Sequence, residues 1–355
     1  KEEDKNLEIT VLSATPDLTE KRYGIKAVNR TDWFKIFKEI NDCQIFISGG
    51  GSLLQDVTGW KSIPYYLGLT GLAQILKKRT VFYAQGMGPV KNKFLKKMIK
   101  YIGKRVDFVS VRDKKSIIFL NKIGIKKSEI RKTVDPVFSF TPEFIKKYPE
   151  RNKEITEQDI PEREQVELND NYIKLINNNN KPVIGVSVRP WKNNYLSELA
   201  RTVDDFACKI NANILIIPFH KYEDRDISVE FHTRLSAPSE IVFGKNDPQE
   251  MLYLFSKLDF VIGVRLHSLI FAAVNNIPFL GLSYDPKIEG FVNSLNLGNN
   301  ILSLNDLQYK RFFELVNDIW KQRERIKKLL IDKNKTFHKQ ALSNTNSVLK
   351  MIDDV

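Results

Sequence analysis

Short apolar runs alternate with segments of helical periodicity along the whole chain. In the first half, four runs have the pattern of buried parallel strands: EITVLS (8–13), CQIFISGGG (43–51), TVFYAQG (80–86) and VDFVSVRD (106–113). Five runs repeat the pattern in the second half: PVIGVSVRP (182–190), NILIIPFH (213–220), SEIVFG (239–244), LDFVIGVRLH (258–267) and IPFLGLSYD (277–285). Two such series in tandem predict an α/β protein with two doubly wound, Rossmann-like domains that face each other across a cleft.

A polar, charge-rich segment with two prolines, residues 144–181, separates the two series. The domains predicted from this boundary are an amino-terminal Rossmann-like domain (1–145), a linker or excursion (146–181), a carboxy-terminal Rossmann-like domain (182–330) and a carboxy-terminal helix (331–355) that packs back on the first domain. Because the chain begins without Met and soon reaches a strand, we also expect a segment with the first strand and helix to precede residue 1.

The composition fits two folded domains in a reducing compartment. A length of 355 residues is typical of about two domains, and 42% of the residues are hydrophobic. The only cysteines are Cys43 and Cys208, far apart in sequence, which indicates that there is no disulfide framework. No uninterrupted apolar run approaches the ~18 residues of a membrane span. We therefore expect a cytoplasmic protein.

The formal net charge of +13 is partly concentrated in two helical segments, 91–105 and 310–330. In the first, Phe94, Leu95, Met98 and Ile102 form one helical stripe among basic residues. Such helices can lie on anionic lipid, which would place the protein at the inner face of the membrane. They can equally pack the apolar stripe on a sheet, and we favour this second alternative.

Glycine, amide and cationic residues follow the predicted strands, at the edge where parallel sheets bind ligands. Gly50 and Gly51 can expose backbone N–H groups to an anion or a sugar, although a tight turn alone would also explain them. Gln85 could bind a hydroxyl group. Arg112 either faces the cleft or pairs with a carboxylate, and Asp113 is well placed to cap the helix that follows.

The segment GVRLHSLIFAAVNNIPFLGLSYDPK, residues 263–287, gives the strongest local prediction. Arg265 and His267 fall in the turn between a strand and a helix, so a guanidinium, an imidazole and a helix N-terminus converge there. Lys287 follows the next strand. This combination predicts an anion site, whereas an isolated histidine would more simply be satisfied inside the core.

Several other chemistries lack support. The four histidines do not have the spacing of a zinc site, and no G-x-S-x-G or P-loop motif is present. The GGGS turn has no suitably placed acidic residue after the next strand for a dinucleotide. We therefore expect no metal and no resident cofactor.

The ordered motifs SGGGSLLQD, VFYAQGMGPV, VDFVSVRD, TVDPVF and GVRLHSLIFAAVNNIPFLGLSYDPK resemble the polysaccharide pyruvyl transferase family, in particular its cell-surface-anchoring branch. The resemblance implies a glycosyltransferase-B-like fold and transfer of a pyruvyl group from phosphoenolpyruvate, a co-substrate, to two sugar hydroxyls. It also implies a 4,6-ketal on N-acetylmannosamine in a lipid-linked precursor of a secondary cell-wall polymer. The family's glycine-rich first segment has no counterpart before LEITVLS, and His220 stands where family members often carry Gln.

With these substrates, we expect His267 to be the general acid, with Arg265 and Lys287 beside it. Arg265, Lys287 and Arg112 would bind the donor, together with the lesser candidates Arg189 and Lys192. The residues expected to face the acceptor are Gly50, Gly51, Gln55, Asp56 and Gln85.

Two other functions stay open at this point. A nucleotide-sugar glycosyltransferase of the same fold commonly holds a ribose with a carboxylate, and there is no acidic residue between Asp259 and Asp285. A polyanion-binding protein would explain a pI near 9.4, but no nucleic-acid-binding motif is present, so we expect no nucleic-acid partner.

Overall fold

The computed structural model describes residues 7–56, 62–126, 130–148, 171–176, 181–191, 195–220, 222–244 and 247–353. The chain forms two compact units. Unit 1 comprises residues 1–139 and 339–355, and unit 2 comprises residues 140–338. The predicted linker over 146–181 lies mostly outside the described residues. Helices and strands are numbered below in chain order among the described elements.

Unit 1 contains two parallel sheets. The smaller sheet pairs β1 (Thr10–Ser13) with β2 (Lys26–Asn29). The larger sheet has the order β3-β4-β5-β6, with β3 (Ile45–Gly49), β4 (Arg79–Gln85), β5 (Phe108–Val111) and β6 (Arg131–Lys132). All four strands predicted in the first half of the chain are confirmed. The sequence prediction missed β2 and β6, which are short and largely polar.

Five helices accompany these strands: α1 (Pro16–Tyr23), α2 (Trp33–Asp42), α3 (Ser62–Ile75), α4 (Lys93–Gly103) and α5 (Lys114–Lys122). The predicted cap of α5 is confirmed, because Asp113 Oδ1 accepts a hydrogen bond from Ser116 N at 2.8 Å. α4 buries Leu95 and Ile99 in a core cluster shared with residues of β4 and β5. Packing on the sheet is therefore confirmed for the inner face of α4, which leaves its outer face open, but the placement of Phe94 on the buried stripe was wrong, since it is 67% exposed.

Unit 2 is built on a six-stranded parallel sheet with the order β12-β11-β10-β7-β8-β9. Its strands are β7 (Val183–Ser187), β8 (Asn213–Ile216), β9 (Ser239–Ile241), β10 (Phe260–Gly263), β11 (Phe279–Ser283) and β12 (Ile301–Ser303). The five predicted strands of this half are confirmed, and the short β12 is additional. Residues of β7, β8, β10 and β11 are fully buried, which explains their continuous apolar runs.

The described helices that begin in unit 2 are α6 (Pro142–Lys146), α7 (Asn171–Ile176), α8 (Leu196–Ile210), α9 (Arg225–Thr233), α10 (Pro248–Phe255), α11 (Leu266–Val274), α12 (Pro286–Ser294), α13 (Tyr309–Lys321) and α14 (Arg323–Asp353). Phe206, Phe260 and Trp320 pack edge to face between this sheet and its helices. Fully burying an aromatic side chain of this kind stabilises a fold by roughly 1.5–3 kcal/mol.

The 31-residue helix α14 contributes to both units. Its residues from 339 onward belong to unit 1. There the Arg79 guanidinium donates to the Met351 carbonyl oxygen at 2.9 Å, and Tyr83 Oη lies 2.8 Å from Thr345 Oγ1. Within the described part of the chain, α14 and the other helices lack the combination of length and hydropathy needed to cross a bilayer.

Candidate active site

The strand order of unit 2 changes direction between β7 and β10. From β7 the sheet continues through β8 to β9, and from β10 it continues the opposite way through β11 to β12. β7 and β10 pair in register, with Ser187 opposite Gly263 at their carboxyl ends. Open parallel sheets bind ligands in the crevice outside this point. The candidate site therefore lies where the chain leaves these two strands.

A pair of buried serines fixes the turn between β10 and α11. Ser187 Oγ accepts from the backbone N–H groups of Val264 at 3.2 Å and Arg265 at 3.4 Å, and it donates to Ser268 Oγ at 2.9 Å. Ser268 Oγ in turn donates to the Arg265 carbonyl oxygen at 2.6 Å. A Cβ atom at Gly263 would lie only 2.3 Å from Ser268 Oγ, so this strand end requires glycine. The backbone of Arg265, the N-cap residue of α11, is thus held in place.

Two carboxylates hold the Arg265 guanidinium. Arg265 Nε donates to Asp224 Oδ2 at 3.0 Å, and Nη2 donates both to Asp224 Oδ1 and to Glu223 Oε2, the latter at 3.0 Å. Asp224 is fully buried, whereas the Glu223 side chain is 51% exposed. Asp224 Oδ2 also accepts from the backbone N–H groups of Phe219 at 3.2 Å and His220 at 2.9 Å. The buried carboxylate therefore joins the loop after β8 to the turn after β10.

The contacts in this cluster shift the pKa values of Arg265 and Glu223 in opposite directions. Burial acts to lower the pKa of the Arg265 guanidinium, but hydrogen bonds and charge from Asp224 and Glu223 outweigh it, and the net effect is a raised pKa. The hydrogen bond from Arg265 lowers the pKa of Glu223, and the charges of His220 and Arg189 act in the same direction. With both acids ionised, the cluster has two negative charges and one positive charge.

A second cation, Arg189, stacks on an aromatic pair after β7. Its guanidinium carbon lies 4.2 Å from the centre of the Tyr284 ring and 5.7 Å from that of Trp191. The two ring centres are 5.0 Å apart, and Trp191 Nε1 donates to Asn305 Oδ1 at 2.8 Å. The buried Tyr195 donates its hydroxyl to the Arg189 carbonyl oxygen at 2.6 Å, and burial raises the pKa of Tyr195 to about 12. Among the described residues, no carboxylate lies within ion-pair distance of Arg189.

His267 and Lys287 begin neighbouring helices at the same edge of the sheet. His267 lies in the first turn of α11, where it is exposed, and its ring centre is 6.4 Å from that of Phe271. Lys287 lies in the first turn of α12, after β11, and its backbone N–H donates to Asp285 Oδ1 at 2.7 Å. The structure thus places Arg189, Arg265, His267 and Lys287 after the adjacent strands β7, β10 and β11. Lys192 lies outside the described residues.

The glycine turn of unit 1 is tied to β4. Gly50 and Gly51 have φ angles of +71° and +59°, which L side chains rarely adopt. The Gly50 N–H donates to the Tyr83 carbonyl oxygen, and the Gly86 N–H donates to the Gly51 carbonyl oxygen, both at 2.9 Å. Gln55 follows in the same loop. These contacts account for the turn, and an acceptor contact by Gly50, Gly51 or Gln55 stays a prediction.

Arg112 makes a buried ion pair within unit 1. Its guanidinium bonds to Asp135, and the two side chains are only 9% and 7% exposed. Arg112 Nη2 also donates to Ser52 Oγ at 3.1 Å. Pairing with a carboxylate, one of the two alternatives for Arg112, is therefore observed. Arg112 belongs to a different unit from Arg265.

Asp56 and Gln85 have partners inside unit 1. Asp56 Oδ2 accepts from the backbone N–H groups of Lys91 at 2.7 Å and Asn92 at 2.9 Å, just before α4. Gln85 is fully buried, and its Nε2 donates to the Ser48 carbonyl oxygen at 2.7 Å. In this structure the Gln85 side chain therefore lies within the unit and is not on its surface.

The sequence reasoning missed the residues that position the cations. Asp224 and Glu223 stand in PFHKYED, Trp191 in SVRPWK and Tyr284 in SYDPK, all of them segments that follow predicted strands. Their position after a strand was a usable signal. Their partners could not be predicted from the sequence, because Asp224 and Arg265 are 41 residues apart.

The fold and this sheet edge define a two-unit α/β protein of glycosyltransferase-B-like architecture. Solved structures that share the fold include the following three. The UDP-GlcNAc 2-epimerase of Neisseria meningitidis is 12% identical, with a TM-score of 0.61 over 98% of this chain and 94% of that chain. The UDP-GlcNAc 2-epimerase of Methanocaldococcus jannaschii is 10% identical, with a TM-score of 0.59 over 89% and 86%. A glycosyltransferase of Rickettsia africae is 14% identical, with a TM-score of 0.57 over 98% and 91%.

The chain belongs to the polysaccharide pyruvyl transferase family, whose model matches residues 1–286. The comparison with curated proteins found no match. The predicted fold class and the family resemblance are confirmed. The cell-surface-anchoring branch stays a prediction.

Proposed function

We propose that this protein transfers the pyruvyl group of phosphoenolpyruvate to two hydroxyls of a sugar, forming a ketal and releasing phosphate. The proposed acceptor is N-acetylmannosamine in a lipid-linked precursor of a secondary cell-wall polymer, substituted at O4 and O6, and the proposed location is the cytoplasm. Family membership supports the reaction class. The main support for phosphoenolpyruvate as the donor is the fixed Arg265 guanidinium at the N-terminus of α11, with His267 in the first turn.

Phosphoenolpyruvate carries close to three negative charges. Arg265 uses Nε and Nη2 for Asp224 and Glu223, whereas Nη1 makes no hydrogen bond to any described residue. Its two N–H groups can therefore donate to a carboxylate or phosphate. Because the two carboxylates carry more charge than Arg265 alone can neutralise, further cations must balance the negative charge of the donor. Arg189, Lys287 and the α11 N-terminus are the groups proposed to do so.

His267 is the proposed general acid. It gives a proton to the methylene carbon, C3, and the electron pair of the double bond forms the new C–H bond, which leaves C2 electrophilic. The first sugar hydroxyl attacks C2 and returns its proton to His267. The bond from C2 to the phosphate oxygen then breaks, the second hydroxyl closes the ketal at C2, and its proton leaves with phosphate. One of the two hydroxyl protons thus replaces the proton that His267 gave to the new methyl group, and the other leaves on phosphate.

Arg112 has no place in this proposed donor site, because its guanidinium is buried against Asp135 and Ser52. We propose that this pair is structural. The acceptor contacts proposed for unit 1 are limited to Gly50, Gly51 and Gln55, since Asp56 holds the start of α4 and Gln85 is buried.

The test measures phosphate release from phosphoenolpyruvate with a synthetic lipid-linked N-acetylmannosaminyl disaccharide. Wild type should release phosphate only when the sugar is present. His267→Gln should lose about 10² to 10⁴ in rate, the usual contribution of a general acid. His338→Gln, which changes a histidine on α14, is the matched control and should keep the wild-type rate. Sugar-dependent release by His267→Gln at a rate within threefold of wild type would exclude His267 as the acid.

The aromatic pair Trp191 and Tyr284 favours one alternative, because such rings can stack on a nucleotide base. A nucleotide-sugar glycosyltransferase would use the same sheet edge. The solved structures with UDP-sugar names share only the fold at this identity. Thermal stabilisation by UDP, with none by phosphoenolpyruvate and no phosphate release, would replace the proposed reaction with this one.

A further inference from the structure

Most of the exposed aromatic side chains among the described residues belong to unit 1. On α2, Trp33 is 56% exposed, Phe34 93% and Phe37 50%, and on α4, Phe94 is 67% and Tyr101 63% exposed. Scattered exposed apolar residues are normal on protein surfaces, but a cluster marks an interaction site. Phe34 is the clearest case, since almost its whole side chain is in contact with solvent.

The helices that carry these rings form one layer with α3 between them. α2 and α3 share one core cluster, and α3 and α4 share another. The residues that make these contacts are Ile36 and Ile40 on α2, Ile63, Leu67, Leu69 and Ala73 on α3, and Leu95 and Ile99 on α4. Each helix therefore buries one face, and the five aromatic residues lie outside these core clusters, on the exposed parts of α2 and α4. We call this surface the α2–α4 face.

The charge on the α4 side of this face is entirely positive. Residues 91–105 contain seven Lys and Arg and no Asp or Glu. Lys97 and Lys100 are exposed on α4 between Phe94 and Tyr101, which lie seven residues apart and hence on one side of the helix. The Arg105 guanidinium carbon lies 3.8 Å from the centre of the Tyr101 ring. Aromatic and cationic groups are therefore interleaved at the surface.

We infer that the α2–α4 face binds the surface of an anionic lipid bilayer. Aromatic rings prefer the boundary between headgroups and acyl chains, and lysine stems reach from that depth back to the phosphates. Protein–protein interfaces, in contrast, are depleted in lysine. Each Lys or Arg near an anionic membrane raises partitioning about fivefold. The helices would lie in the plane of the interface. This inference is independent of the donor chemistry proposed above.

The test is co-sedimentation of the full chain with vesicles of phosphatidylcholine alone and of an equimolar mixture with phosphatidylglycerol. Wild type should bind the mixture, and rising salt should weaken binding. Lys97→Glu with Lys100→Glu should lower partitioning at least about tenfold, from the contribution of about 1 kcal/mol per charge. Lys146→Glu with Lys147→Glu, the same change at two exposed lysines at the end of α6 in unit 2, is the matched control and should stay within threefold of wild type.

The aromatic contribution is tested with Phe34→Ser and with Phe94→Ser combined with Tyr101→Ser. These side chains are exposed, so circular dichroism should show an unchanged fold while vesicle binding falls. Three results would overturn the inference: equal binding to pure phosphatidylcholine, an equal loss in the α6 control, or no binding to the mixed vesicles, whether or not the chain binds duplex DNA. In the last case, binding of duplex DNA would assign the basic surface to nucleic acid.

Discussion

The pair formed by Asp224 and Arg265 offers a sharp test of how burial sets the strength of an ion pair. Asp224→Asn and Glu223→Gln each replace a carboxylate on the same guanidinium with an amide of the same shape. The two acids are adjacent in sequence and differ mainly in burial, since Asp224 is fully buried and the Glu223 side chain is 51% exposed. Glu223→Gln is therefore a matched control for the charge change.

The expected cost follows from the hydrogen bonds of each acid. Asp224 accepts from two nitrogens of Arg265 and from two backbone N–H groups. An asparagine oxygen in place of Oδ2 would keep three of these donors, but its NH₂ group would then face Arg265 Nη2. The charge-assisted hydrogen bond from Arg265 Nη2, worth about 1.5–3 kcal/mol, is lost. The largely buried Arg265 guanidinium then keeps one of its two hydrogen bonds to residue 224. Breaking a buried pair commonly costs about 3–5 kcal/mol, so we expect about 3 kcal/mol for Asp224→Asn.

Glu223→Gln should cost at most about 1 kcal/mol, as is usual for an exposed pair. Urea unfolding followed by circular dichroism measures both variants. Hydrogen exchange of peptides from β8 and β10 then shows whether the loss lies in unit 2. Equal costs for the two variants, or a cost below about 1 kcal/mol for Asp224→Asn, would refute the reasoning, because burial would then not control the strength of these contacts.

Three further predictions concern packing, a second ion pair and alkaline pH. Gly263→Ala should destabilise unit 2 by about 1–3 kcal/mol through overpacking, since its Cβ would lie 2.3 Å from a serine oxygen, whereas Gly290→Ala, with no atom within 4 Å, should not lower the melting temperature. Asp135→Asn should destabilise unit 1 by about 3 kcal/mol, because it removes the carboxylate buried against Arg112, and hydrogen exchange of β5 should report it. Tyr195→Phe should cost about 1 kcal/mol at pH 7 in urea unfolding, and this deficit should disappear above about pH 10. The sign follows from the raised pKa of about 12: the unfolded state of wild type ionises first, so wild type loses stability from pH 10 upward and the variant does not.

The sequence predicted the sheet of unit 2 well because its strands are buried on both faces. Such strands appear as continuous apolar runs, and β7, β8, β10 and β11 are buried along their whole length. The missed strands β2, β6 and β12 have four residues or fewer and include polar positions, so their pairing depends on neighbours distant in sequence. On α4, the buried stripe is centred on Leu95 and Ile99, and this leaves Phe94 outside.

The position of a residue after a strand predicted where its backbone lies but not whether its side chain is accessible. Arg265 and His267 stand at the expected edge of the sheet, whereas Arg112 and Gln85, chosen by the same rule, have buried side chains. Sequence alone could not separate these cases. A strand end fixes where the backbone lies, but only the neighbouring loop decides whether a side chain meets solvent or a partner such as Asp135.

The carboxylates beside Arg265 have a physical reason in a site proposed for an anionic donor. A free arginine side chain loses about 2 kcal/mol of rotamer entropy when a ligand fixes it. Asp224 fixes the guanidinium before the ligand arrives and leaves Nη1 as a preoriented pair of donors. In the proposed reaction, the excess negative charge of the cluster would also weaken the hold on released phosphate, while the stacked Arg189, with no carboxylate partner among the described residues, would add attraction. A site of this composition favours orientation of the donor over maximal affinity, as catalysis by differential binding requires.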